Sequence, residues 1–80
     1  MVVSYDSLAQ AVYIKLQPEA EVSRTIEFAP ETFVDLDKNG NLIGIEMLNP
    51  ARIVLKEIAK KFHHPELSRI NPGKFKEAIA

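Results

Sequence analysis

The sequence predicts an α+β fold: an antiparallel meander of about five short strands, one face covered by a C-terminal amphipathic helix. Three observations predict it. Through residue 48, apolar residues recur every second position in short runs, broken by Asp, Ser, Pro, Asn and Gly. Asn49-Pro50 then closes the strand region. From Ala51 the apolar spacing changes to three and four, the period of a helix. Strands first and helix last along a chain indicate α+β architecture. The 80 residues are expected to form a single domain, with 1–49 the meander and 50–80 a helical C-terminal segment.

Val2 to Tyr5 is a short apolar run that fits a first strand. Asp6-Ser7 offers side-chain oxygens to nearby backbone N–H groups, as a turn requires. Ala11 to Leu16 alternates, with Val12, Ile14 and Leu16 on one face and Ala11, Tyr13 and Lys15 on the other. Val22 to Phe28 reads as a third strand. Arg24 falls on its apolar side, so this strand is expected near an edge, where the stem is covered and the guanidinium reaches water.

The centre of the chain is Phe33 to Leu48, two alternating arms around Asn39-Gly40, the strongest short-range hairpin signal. Val34 and Leu36 on one arm and Ile43, Ile45 and Met47 on the other are expected in the core. Phe33, Asp35, Asp37, Leu42, Gly44, Glu46 and Leu48 then take the opposite face. A one-residue slip would bury carboxylates, which fixes the register.

Asn49 is read as a helix N-cap and Pro50 as the first helical residue. Ala51, Val54, Leu55, Ile58 and Phe62 form the apolar stripe of a helix over Ala51 to Phe62. His63-His64-Pro65 ends it. Asn71-Pro72 repeats the cap signal, so a short last helix is expected over Lys74 to Ile79.

Composition narrows the function. With no cysteine, disulfides and thiolate metal sites are excluded. No apolar run reaches the ~18 residues of a membrane span, and MVVSYDSLAQ lacks the basic start and apolar stretch of a signal peptide. A cytoplasmic protein with no membrane partner is expected. Net charge is -1, but residues 1–49 hold eight acids and three bases, and residues 50–80 hold three acids and seven bases. Arg52, Lys56, Lys60, Arg69, Lys74 and Lys76 carry the basic half. Without a recognition-helix signature or stacking aromatics, they give no ground to expect nucleic acid.

Three candidate sites emerge. Asp35, Asp37, Asn39, Gly40 and Glu46 match the acidic spacing of a calcium-binding loop, with oxygen ligands at positions 1, 3, 5 and 12 and glycine at 6. Such a loop needs a helix on each side, and these flanks read as strands. A hairpin loop using Asp35, Asp37, Asn39 and Glu46 is the metal-site alternative. Next, Tyr13, Phe33, Asp35 and Glu46 share the sheet face away from the helix with Thr25 and Glu27, and form the candidate binding surface. Asp35 and Glu46 there also admit acid–base chemistry if they line a cleft. Last, the adjacent His63 and His64 diverge on a helix and make no chelating pair, which needs a spacing of three or four.

Tyr5-Asp6, Val12-Tyr13-Ile14-Lys15-Leu16, Val34-Asp35-Leu36-Asp37, Asn39-Gly40 and Gly44-Ile45-Glu46-Met47-Leu48 carry a resemblance. On these residues the chain resembles the YuzE-like family, small prokaryotic proteins of a domain of unknown function. The pattern there runs roughly YDxxxDxLYIRL and then, after a variable stretch, VDxDxxGxxxGIEIL. It covers residues 5–49, with Gln10 standing where an aspartate is usual. The resemblance implies a small β-rich fold with a C-terminal helix and no established activity. Such families often neighbour genes for RelE-like toxins, which makes an antitoxin-like binding role an implication of the resemblance. The expected function is therefore a non-enzymatic protein–protein contact domain that self-associates, with a possible small protein partner and no cofactor. An ion-binding hairpin and an acid–base enzyme are the alternatives.

Overall fold

The computed structural model describes residues 1–74. It contains strands β1 (Val2–Asp6), β2 (Ala11–Lys15), β3 (Arg24–Ala29), β4 (Thr32–Leu36) and β5 (Leu42–Met47), then helix α1 (Arg52–Lys61) and a 3-10 helix over Pro65–Arg69. The five strands form one antiparallel sheet in the order β1-β2-β5-β4-β3. This is the expected α+β class. The order is one that local pattern does not specify: a β1–β2 hairpin is set beside a β3–β4–β5 meander, and β2 pairs with β5. Residues 16–23 cross one end of the sheet to join the two parts, giving a Greek-key arrangement of β2 to β5. The connection is pinned where it leaves and re-enters. Leu16 and Gln17 N–H donate to the Ile43 carbonyl at 2.8 and 3.2 Å, and Ser23 N–H donates to that of Leu36 at 2.8 Å.

Alternation decides the core. Val12, Ile14, Val34, Leu36, Ile45 and Met47 are buried on one face of the sheet and meet Leu55, Ile58 and Ala59 of α1. Each such side chain contributes roughly 1.5–3 kcal/mol when taken from water. The strands that supply them, β2, β4 and β5, are interior; β1 and β3 are the edges. Arg24 is exposed on edge β3, as its place on an apolar face required. That strand begins at Arg24, two residues later than the pattern suggested, and Val22 lies outside it, exposed.

The central hairpin turns at Asn39-Gly40 through a three-residue loop. Asp37 N–H donates to the Asn41 carbonyl at 3.0 Å and Gly40 N–H to that of Asp37 at 3.1 Å. Gly40 takes the left-handed conformation that closes this loop, φ +83°. One face assignment is corrected. Leu36 pairs with Leu42 and Asp35 with Gly44, so Ile43 is an extra residue in a bulge. The bulge shifts the alternation by one: Leu42 joins the core cluster, and Ile43, also buried, stands outside it.

The helix start is also corrected. The chain stays extended past Pro50, with Ala51 at φ -131°, ψ 117°, so the N-cap is Ala51 with no side-chain bond and Asn49 plays no part. The stripe itself holds: Leu55 and Ile58 are buried, and Val54 and Phe62 pack against the cluster. At the other end His63 adopts φ +59° and His64 N–H donates to the Ala59 carbonyl at 2.9 Å. That is a Schellman ending with histidine in the position glycine usually takes. The 3-10 helix, which periodicity missed because it is a single short piece, inserts Leu67 into the core. Residues 72–74 are helical; the rest of the last helix expected over Lys74 to Ile79 lies outside the described residues.

Candidate functional site

The strand register builds a surface on the sheet face away from α1. One row across it reads Ser4, Tyr13, Glu46, Phe33, Glu27; the next reads Val2, Lys15, Gly44, Asp35, Thr25. Tyr13, Phe33, Asp35 and Glu46, the candidates from sequence, therefore sit together at the centre, each part-exposed.

Gly44 explains how they are held. Tyr13 lies diagonally across Gly44, and its phenol donates a hydrogen bond to Oδ2 of Asp35. A Cβ at position 44 would come within 2.6 Å of the phenol oxygen, so only glycine leaves the path open. Thr25 Oγ1 donates to Oδ1 of Asp35 at 2.5 Å. Both carboxylate oxygens of Asp35 are thus engaged by strands β2 and β3, one on each side. Partial burial, the bond to Asp35 and the charges of Asp35 and Glu46 all push the Tyr13 phenol well above its ordinary range. Tyr13 stays a neutral donor at any physiological pH. Lys15 Nζ lies 6.0 Å from the Tyr13 ring centroid and supplies the one nearby cation on these rows. Lys15 and Gly44 were not singled out from sequence; their role depends on the diagonal neighbour, which appears only once β2 is known to pair with β5.

The family model for a protein of unknown function, DUF2283, matches residues 3–49. This chain belongs to that family. The DUF2283 match takes in the rows just described and stops short of α1 and the 3-10 helix, which complete the core. Comparison with curated proteins gives no match, and comparison with solved structures gives none.

The other candidates separate. Asp37 holds its own turn: Oδ1 accepts from Asn39 N–H and Asn41 N–H, both at 2.8 Å, and Oδ2 accepts from Asn41 Nδ2 at 3.0 Å. These bonds, that of the Asn41 side chain first, lower the Asp37 pKa. Asp35 is committed to Tyr13 and Thr25, and Glu46 lies along β5, beside Tyr13 and Phe33. Among the described residues no group of three or more His, Asp or Glu side chains converges as a metal site. His63 caps α1, and His64 Nδ1 sits 3.3 Å from Glu66. Clefts of about 340 and 390 Å³ flank the central turn, lined by residues such as Ser23, Asp37 and Asn39 on one side and Gln17, Asn41 and Phe62 on the other. Asp35 and Glu46 line neither of them.

Proposed function

We propose that this domain works by protein–protein contact through the sheet face away from α1, self-association included. One observation carries the reading. An aromatic donor and a carboxylate, Tyr13 and Asp35, are locked in place on an open pleated surface, flanked by half-exposed Phe33 and by Glu46. Rigid aromatics on a surface offer contact area at little entropic cost, which is what docking needs. Among the described residues Asp35 and Glu46 line neither cleft beside the central turn, so the geometry lends acid–base catalysis no support. The resemblance to the YuzE-like family adds an antitoxin-like role in the cytoplasm as the finer form of this reading. It requires no cofactor.

Native mass spectrometry on the gently isolated chain tests it, with a Phe33→Glu variant alongside. The expected result is an assembly, with itself or with a small protein, that the variant loses while its melting curve stays cooperative. A wild-type chain that remains monomeric and unaccompanied at tens of micromolar overturns the reading.

A further inference from the structure

Resting on the open-face reading, we infer that the occupant is a second copy, and that the outer side of α1 in one molecule stacks on the open sheet face of the next. The charges are divided between these two surfaces. By register the open face holds Asp6, Glu27, Asp35 and Glu46 against the single base Lys15. The outer side of α1 holds Arg52, Lys56 and Lys60 against the single acid Glu57, all exposed, while Lys61 leans back over the Phe28 ring at 6.0 Å. The sheet lies between them, so the two patches point away from each other and cannot meet within one molecule. Among the described residues the only ion pair is His64 with Glu66. Both patches therefore lack an opposite partner inside the described fold.

Apolar groups sit where this stacking would use them. Ile53 is 70% exposed and follows the same helix row as Lys56 and Lys60. On the receiving side Tyr13 and Phe33 are half-exposed between the carboxylates. The symmetric alternatives fail on charge. Open face on open face sets carboxylate against carboxylate, and α1 on α1 sets lysine against lysine; either costs affinity. Head-to-tail contact is the complementary one, and it closes as a ring or continues as a chain of molecules.

Size sets the strength. Five strands about 4.8 Å apart, of five or six residues at about 3.3 Å each, span roughly 24 by 17–20 Å. That is about half the ~800 Å² each partner gives to a standard stable interface. Assembly is therefore weak, visible from tens of micromolar upward, and driven by charge. Since the Debye length shortens from ~10 Å at 0.1 M salt to ~3 Å at 1 M, high salt should disperse it.

A charge exchange followed by sedimentation equilibrium tests the inference on the full chain. One variant is Lys56→Glu with Lys60→Glu; the other is Glu27→Lys with Glu46→Lys. Circular dichroism melting confirms that each is folded. The wild type should associate, at least tenfold more weakly in 0.5 M than in 0.05 M NaCl. Each variant alone should be monomeric, because both of its patches then carry the same sign. Mixing the two should restore assembly, because each supplies what the other lacks. Unchanged association of the helix variant, or a mixture that stays monomeric, overturns the stacking. In that case the open-face reading still stands if Phe33→Glu abolishes whatever assembly is seen. A wild type that is monomeric yet binds a different protein through the open face also removes the second copy alone. A chain with no association of either kind removes both.

Discussion

Gly44 and Tyr13 show what single residues settle here. A Gly44→Ala change would force the phenol off its path to Asp35. We expect a loss near the low end of the ~1–3 kcal/mol typical of overpacking. In a Tyr13→Ala background the same change should cost nothing, since the obstructing ring is gone. Urea titration of the four proteins in the cycle measures the difference. A cost that is the same in both backgrounds would mean Gly44 is needed for another reason. Tyr13 also has a pH signature. Its pKa is raised in the fold, so the folded state holds the proton longer than the unfolded chain. The stabilisation is complete below the ordinary tyrosine pKa of about 10 and is lost as pH rises through the higher folded value. With Tyr5, the other tyrosine, changed to phenylalanine, phenolate absorbance should appear only together with unfolding. Phenolate near pH 10 in a still-native spectrum would contradict the part-buried, hydrogen-bonded geometry. Calcium gives a further check. Asp35 and Asp37 already spend their oxygens within the fold. Millimolar calcium should therefore leave the melting temperature unchanged, whereas a ligand bound only to the native state would raise it.

At the scale of elements, α1 is the least well terminated. Its N-cap is Ala51 without a side-chain bond, and its left-handed ending is His63. Ala51→Ser should add about 1 kcal/mol by supplying the missing acceptor. His63→Gly should add on the order of 1 kcal/mol or less, the ~1–2 kcal/mol cost of a left-handed non-glycine backbone less the ~0.5–1 kcal/mol of chain entropy that glycine loses. Thermal melts of both variants are the measurement, and a fall in midpoint would contradict either assignment. The elements also show how far sequence alone reached. Strands β2 to β5 and the helix were legible from periodicity, because burial on one face imposes it, and β1 from a short apolar run. Leu42 was assigned to the open face although it is buried in the core, because a bulge at Ile43 inserts one residue without changing composition. Asn49 offered a good cap, but the extended backbone at Ala51 delays the helix beyond it. Of the candidate surface, Tyr13, Phe33, Asp35 and Glu46 were legible by alternation alone. The diagonal over Gly44 was not, since it needs a strand pairing between distant segments.

For the whole molecule, the boundary of the family match and the boundary of the core differ. The match ends at residue 49, yet Leu55, Ile58, Ala59 and Leu67 close the core beyond it. A fragment of residues 1–49 would leave the apolar face of its sheet in water. It should fail to give a cooperative melt, and a dispersed amide spectrum from that fragment would show the sheet to be self-sufficient. The full chain has little reserve: at roughly 0.05–0.15 kcal/mol per residue its stability is on the order of 4–12 kcal/mol. An Ile58→Ala change, at ~2–5 kcal/mol, would consume much of that.

The crossing connection between β2 and β3 also carries a consequence for how fast the chain finds its fold. The β1–β2 and β3–β4–β5 parts each close over short turns and can form on microsecond timescales. The seam between β2 and β5 joins residues near Ile14 to residues near Ile45, so it closes a long loop before gaining any contact. Such non-local pairing slows folding. In stopped-flow experiments Ile14→Val should mainly slow refolding, whereas changes at the Ser7–Gln10 turn should mainly speed unfolding. The residues that sit at the middle of the finished sheet would then be those whose meeting sets its rate of assembly.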